Sequence, residues 1–368
     1  MSTLGMRPKI GRCLIAAFMV AAIAACGRSS ASDAPAFAGA VTCAACHREQ
    51  AASWRASQHA VAMRRAAGNV VLGDFNAAHL RANGGAWTFT RSGARYVVNT
   101  RSADGTMRDF TVRYTFGVWP LQQYLVDYTG GRLQALSVAW DGRPAAQGGQ
   151  RWFSLAPNQI VEHGTAQHWT GRGYNWNYMC ADCHSTAVRK GYAAVAETFH
   201  TTSAALGVEC EACHGPGSEH VRWAEYPSWL RPLMRGDNGL QSSLSERRGA
   251  EWRVQPGART ATRSRPRDGD HEIETCAQCH ARRVHIAEGY TAGKSLFDYY
   301  VPSLLTADLY HPDGQQREEV YTYGSFLQSR MYAAGVTCSD CHDPHSGRTR
   351  RPGNQLCTQC HTATAYDT

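Results

Sequence analysis

Six times the chain sets two cysteines three residues apart with a histidine directly behind them: Cys43/Cys46/His47, Cys180/Cys183/His184, Cys210/Cys213/His214, Cys276/Cys279/His280, Cys338/Cys341/His342 and Cys357/Cys360/His361. On a helical turn, positions i, i+3 and i+4 share one face. Two thiols so placed can form thioether bonds to the vinyl groups of one haem while the histidine reaches the iron. This spacing is the c-type haem attachment signature. Zinc is the other chemistry open to such pairs, since two Cys-x-x-Cys pairs make a tetrahedral site. Zinc has no use for a histidine behind every pair. With 16 histidines in 368 residues, six by accident have odds of about one in a hundred million. Six covalently bound haem c groups are the expected cofactors. Of 14 cysteines, the motifs leave Cys13 and Cys26, both near the N-terminus, so none remains for a structural disulfide.

The elements that must position these turns fall in a clear order. Residues 1–25 read as a signal peptide: Arg7, Lys9 and Arg12 precede an apolar stretch too short to span a bilayer. Ile23-Ala24-Ala25-Cys26 resembles a bacterial lipobox, with ordinary signal-peptidase cleavage as the competing reading. Residues 26–40 form a small, polar tether, and 41–85 carry the first haem segment. Residues 86–145 change character. WTFTR, RYVVNT, MRDFTVRYTF and RLQALSVAW alternate with period two, separated by Ser92-Gly93, Ala103-Asp104-Gly105 and Gly130-Gly131, which predicts an inserted antiparallel β-meander. Residues 146–368 hold the other five motifs. About 57 mature residues per haem is too little for independent domains, so the haems must pack together and serve as core. The expected fold class is a mainly α/coil multihaem cytochrome c, with short helices around packed haems plus the meander.

The formal charge of +8 does not point to nucleic acid. Removing the signal's three cations and adding twelve propionates and six ferric cores brings the oxidised protein to about −1. Much of the arginine suits propionate carboxylates. Residues 246–270, rich in arginine and chain breakers, read as a solvated loop or a docking patch for an acidic redox partner.

The sequence also resembles a known family. TCAACHREQAASWRASQHAVAM (42–63) resembles the first haem segment of the cytochrome c-554 group of multihaem cytochromes. GVECEACHGPGSEH and GVTCSDCHDPHSG resemble later haem sites of that superfamily. YTFGVWPLQQYLVDYTGGRLQALSVAWD, HWTGRGYNWNYMCADCHST and EVYTYGSFLQSRMYAAGVTCSDCHDPHSG are similar to a bacterial branch often fused to tetratricopeptide repeats. Carried over by position, the resemblance makes His59 a distal iron ligand to a haem other than its own. His220 and His345 follow as distal ligands, and His168, His200 and His311 complete a set of six. His79, His163, His271 and His285 are the reserve. Met63, Met107, Met179, Met234 and Met331 are too few for six sites and lack motif spacing, so mostly bis-histidine, low-potential haems are expected. Relatives commonly continue past the last motif, whereas seven residues follow His361 in this sequence, and the resemblance leaves open which histidine serves the sixth haem.

Bis-histidine iron has no open position for substrate. The expectation is an exported electron-transfer protein, held at the outer membrane through a lipidated Cys26 and working between a redox protein donor and acceptor. The alternative is a multihaem oxidoreductase of small nitrogen or sulfur oxyanions with one five-coordinate haem. The Cys-x-x-Cys-Lys variant is absent, since all six motifs end in histidine.

Overall fold

Alternation of apolar and polar residues builds the largest element. The structure is a computed structural model that describes residues 35–234 and 238–363. The expected signal segment, Cys13, Cys26 and most of the tether lie outside the described residues. Nine strands form one antiparallel sheet: β1 (Met63–Arg65), β2 (Ala78–Ala82), β3 (Gly85–Ser92), β4 (Arg95–Arg101), β5 (Met107–Phe116), β6 (Leu121–Asp127), β7 (Leu133–Ala135), β8 (Val138–Asp141) and β9 (Arg151–Ser154). The spatial order is β2-β3-β4-β5-β6-β8-β9, with β1 added to β5 and β7 to β6.

Two local features set this topology. Asn83 and Gly84, both at positive φ, make the two-residue loop that closes β2 on β3; Asn-Gly suits such a turn because both central residues must enter the left-handed region. A register shift in β5 between Val112 and Tyr114 then splits that strand's duties. Its first half pairs with β4 and its second with β1 and β6, as a bulge that bends a strand allows. The curl brings the two ends of the order together: Asn83 Nδ2 donates to Ala156 O at 2.7 Å, and Val161 N to Asn83 O at 3.1 Å.

Inside the curl lies an aromatic core of Phe75, Trp87, Phe89, Tyr96, Tyr124, Trp140, Trp152 and Trp169 with Val98, Val112, Val126, Leu136 and Val138. Phe89 stacks on Trp152 at 3.6 Å between ring centres. Trp152 donates to Asp74 O, Trp169 to Arg101 O, and Tyr124 to Gln122 while accepting from Gly73 N, whereas the buried Trp87 Nε1 has no hydrogen-bond partner. Each such ring contributes roughly 1.5–3 kcal/mol by leaving water.

This corrects the expected fold class. Among the described residues the structure is 25% helix and 24% strand, with a nearly closed, barrel-like antiparallel sheet, not a mainly α/coil protein carrying a meander. The physical reason is economy on both sides. A motif helix needs little more than the turn that aligns two thiols and an imidazole, so the helices stay short. The sheet, in contrast, recruits β1, β2 and β9 from outside residues 86–145, where runs of three to five residues are too brief to show period two.

No helix among the described residues is long and apolar enough to cross a membrane. A second core, Ile273, Ala277, Ala281, Tyr290, Leu296, Tyr300 and Tyr323, supports the C-terminal motifs.

Candidate haem-binding sites

Every motif sits on a short helical turn, as i, i+3, i+4 placement requires. The relevant helices are α1 (Ala40–Cys46), α2 (Arg48–Arg55), α3 (Ala181–His184), α4 (Cys210–His214), α5 (Ser218–Glu225), α6 (His271–His280), α7 (Cys338–Cys341) and α8 (Gln355–Thr358). After α4, Gly215 takes φ 75° and ψ 179°, a conformation essentially reserved for glycine. That turn lets α5 start at once and carry His220 back along the motif.

Three motif histidines each face a histidine from a distant segment. His47 lies opposite His220 with ring centres 6.0 Å apart and planes 25° apart. His214 lies opposite His345 at 6.3 Å and 17°, and His280 opposite His59 at 6.3 Å and 76°. A metal–imidazole bond of about 2 Å on each side, with about 1 Å more from each nitrogen to its ring centre, gives roughly 6 Å between ring centres. The observed separations fit one iron between each pair of imidazoles. Direct ring stacking would bring the centres closer.

Hydrogen bonds set the tautomers. His220 Nδ1 donates to Asn238 O at 2.8 Å and His184 Nδ1 to Ala62 O at 2.9 Å, which leaves each Nε2 lone pair for a metal. Burial holds His59, His184 and His214 below the ordinary imidazole range, helped at His59 by His280 and at His214 by His345, His47 and His220. The neutral, ligating form is therefore the stable one. Burial also pushes the Cys213 thiol up to about 11 and Cys180 up to about 12.

The remaining distal candidates are placed differently. His168 is buried beside Trp169, its Nδ1 2.7 Å from Thr170 Oγ1. His200 is exposed, its backbone bonded to Gly191 O, and His311 is exposed in a turn closed on Gln315 O. The motif histidine His184 meets Phe116 edge-on at 5.2 Å. Of the reserve set, His79 lies 3.1 Å from Thr88 Oγ1, and His285 stacks on Tyr300 while its Nδ1 approaches Asp182 at 3.5 Å.

The motifs are also packed on one another. The Cys43 thiol lies within hydrogen-bond reach of Cys210, Cys183 of Cys279, and Cys276 of Cys338. Helix α1 packs on α4, and α6 packs on both α3 and α7.

Sequence reasoning missed what locks these turns together. In three motifs a residue between the two cysteines is acidic, and each carboxylate is buried or nearly so. Glu211 accepts from Ala38 N at 2.7 Å, Gly39 N at 2.8 Å and Gly217 N at 2.7 Å, tying the entry to α1 onto α4. Asp340 accepts from Thr337 N and Trp252 Nε1. Asp182 gathers Lys190 at 3.3 Å, His285 at 3.5 Å and Arg283 at 3.8 Å. Glu272, just before motif 4, accepts from Ser339 N and Oγ inside motif 5. An acid between two cysteines of a turn that must face inward was the available signal.

Short haem-attachment turns, inward imidazole pairs and motif-to-motif packing define a class of protein that holds several haems by thioether bonds. Two family models match the chain: "Cytochrome c554 and c-prime" over residues 42–72 and 140–215, and "Doubled CXXCH motif" over residues 331–366. The multihaem cytochrome MtrA of Shewanella baltica (strain OS185) is 28% identical over 163 residues, which are 42% of this chain and 42% of that protein. The match thus spans under half the length of that curated relative. The crystal structure of the outer cell wall cytochrome OcwA shares the fold with a TM-score of 0.53 at 18% identity, covering 89% of this chain and 68% of that one. The chain is a multihaem c-type cytochrome.

Proposed function

We propose that the chain is an exported hexahaem cytochrome that passes electrons from a periplasmic or membrane donor to a terminal acceptor, anchored to the outer membrane through a lipidated Cys26. Bound haem c supplies reversible one-electron chemistry at each motif. The chain's own residues do the rest. His47, His184, His214, His280, His342 and His361 are proximal ligands in this reading. His220, His345 and His59 are the distal partners of His47, His214 and His280, and close the iron to substrate.

The observation that carries the proposal is the three facing pairs at 6.0–6.3 Å. Each joins segments far apart in sequence, so ligation also draws the chain together. Motif packing supports an order for the path: motif 1 beside motif 3, and motif 4 beside motifs 2 and 5. Cys46 and Cys357, at the first and last motifs, are the exposed cysteines among the described residues, which suits entry and exit at the two ends.

One measurement reads both the haem count and the anchor. Intact mass of protein from the membrane fraction of a host competent for c-type maturation should equal the polypeptide from Cys26, six haems and a diacylglyceryl group. A mass with four haems or fewer sinks the hexahaem reading. Full recovery in the soluble periplasm sinks the anchor.

A further inference from the structure

The arginine-rich stretch between motifs 3 and 4 is not a detached loop. Trp252–Arg253 pairs with Thr262–Arg263 as a short hairpin. Ala261 N donates to Cys360 O at 2.7 Å, Thr362 N to Arg259 O at 2.9 Å, and Trp252 Nε1 to Asp340 at 3.1 Å. The hairpin therefore lies on motifs 5 and 6. The connection between those motifs, Arg348–Arg351, borders the same surface, with Arg350 N bonded to Cys341 O.

Charge on this surface is predominantly positive, with the Asp343 carboxylate bordering it beside Arg350. Arg248, Arg259, Arg265, Arg348, Arg350 and Arg351 are all exposed. Arg247 turns to Asp340 and Arg253 to Glu251, and Glu251 is the lone carboxylate within residues 247–265 and 348–351. Haems on motifs 5 and 6 would bring four propionates. Six further guanidiniums and two ferric cores exceed that. Around motif 1, in contrast, Arg48, Arg55 and Arg222 are balanced by Glu49, Glu219 and Glu225. The molecule is polar along its motif row, with its cationic pole at the exposed motif 6.

We propose that the arginine surface formed by the 252–263 hairpin and Arg348–Arg351 is the docking site for an acidic one-electron protein, which exchanges electrons at motif 6. The inference rests on the electron-transfer reading above. Field lines from such a pole steer an oppositely charged partner to the right end of the molecule. They act on the partner from outside, so the pole sets orientation without touching the path itself.

The test uses the haem-loaded protein and reduced flavodoxin, an acidic one-electron donor, in stopped flow. The wild-type second-order rate should fall steeply between low salt and an ionic strength where the Debye length is about 5 Å or less. Arg259→Glu/Arg348→Glu/Arg351→Glu should lower the low-salt rate about ten-fold or more, with haem content and spectra unchanged, and should match wild type at high salt. Arg48→Glu/Arg55→Glu, at the other end, should leave the rate within about two-fold. Equal rates for the triple variant and wild type overturn the proposal, as does an equal loss in the motif 1 control. Co-sedimentation of wild type, but not the triple variant, with phosphatidylglycerol vesicles at unchanged flavodoxin rates would assign the surface to a membrane and also overturn it. Failure of the underlying reading looks different: flavodoxin's electrons would then stop at a subset of haems in the wild type itself, whatever the patch does.

Discussion

Replacing His220 with alanine should add one high-spin ferric haem to the oxidised protein and release none. His220 faces His47 at 6.0 Å, its Nδ1 is held by Asn238 O, and its ring stacks on Trp223 at 5.5 Å. Those partners fix both tautomer and orientation, as supports of a metal-bound imidazole do. The substitution removes one axial bond and touches no thioether. The affected potential should rise, because ferric iron loses more than ferrous iron when an imidazole is withdrawn. A raised potential near one end traps electrons and slows transfer through the whole row, and the reduced variant should take up one more carbon monoxide than wild type. A role limited to hydrogen bonding would cost about 1 kcal/mol and leave spin state alone. Unchanged low-spin spectra in His220→Ala reject the assignment.

The second large effect is structural. Glu211→Ala should destabilise the haem-loaded protein by about 3 kcal/mol, since it strands three backbone N–H groups that now bond a buried carboxylate, and charged acceptors are worth more than neutral ones. Two of those donors, Ala38 and Gly39, lead into α1. The loss should therefore show first as faster proteolysis around residue 38, with a lower denaturant midpoint. Glu211→Gln keeps one oxygen and should lose roughly half as much. A change within about 0.5 kcal/mol, the range of an ordinary surface substitution, would show that the clamp carries nothing.

Much of the site chemistry was legible because it is local. Two thioethers and a proximal ligand come from five consecutive residues, so Cys210, Cys213 and His214 announce themselves without a fold. Distal histidines are non-local, and a lone histidine carries no spacing signal. His59, His220 and His345 stood out only through resemblance to related haem segments. The structure sets each of them across from a motif histidine, while His168 bonds Thr170 and His200 and His311 are exposed. The sheet was legible where alternation ran long, as in RYVVNT and MRDFTVRYTF. It was missed at β1, β2 and β9, short strands outside the alternating runs, and where closure depends on Asn83 meeting Ala156, a contact between chain segments that no window of sequence contains. The Asn83-Gly84 pair, a strong hairpin signal, lay just before the stretch in which alternation was sought. The arginine run showed its charge in sequence but not its address, since only the hairpin's bonds to Cys360 and Asp340 place it on the last motifs.

The measurement that bears most directly on cross-segment ligation is electron paramagnetic resonance of the oxidised, fully loaded wild type, integrated against total iron. Ligand-plane angle governs the anisotropy of low-spin ferric haem. The pairs at 25° and 17° predict two rhombic bis-imidazole signals, and the pair at 76° predicts one highly anisotropic signal with a large maximal g value. Finding these three species, with at least half of the iron low-spin, is the expected result. A spectrum dominated by high-spin iron, or one in which the highly anisotropic signal is missing, would contradict the account.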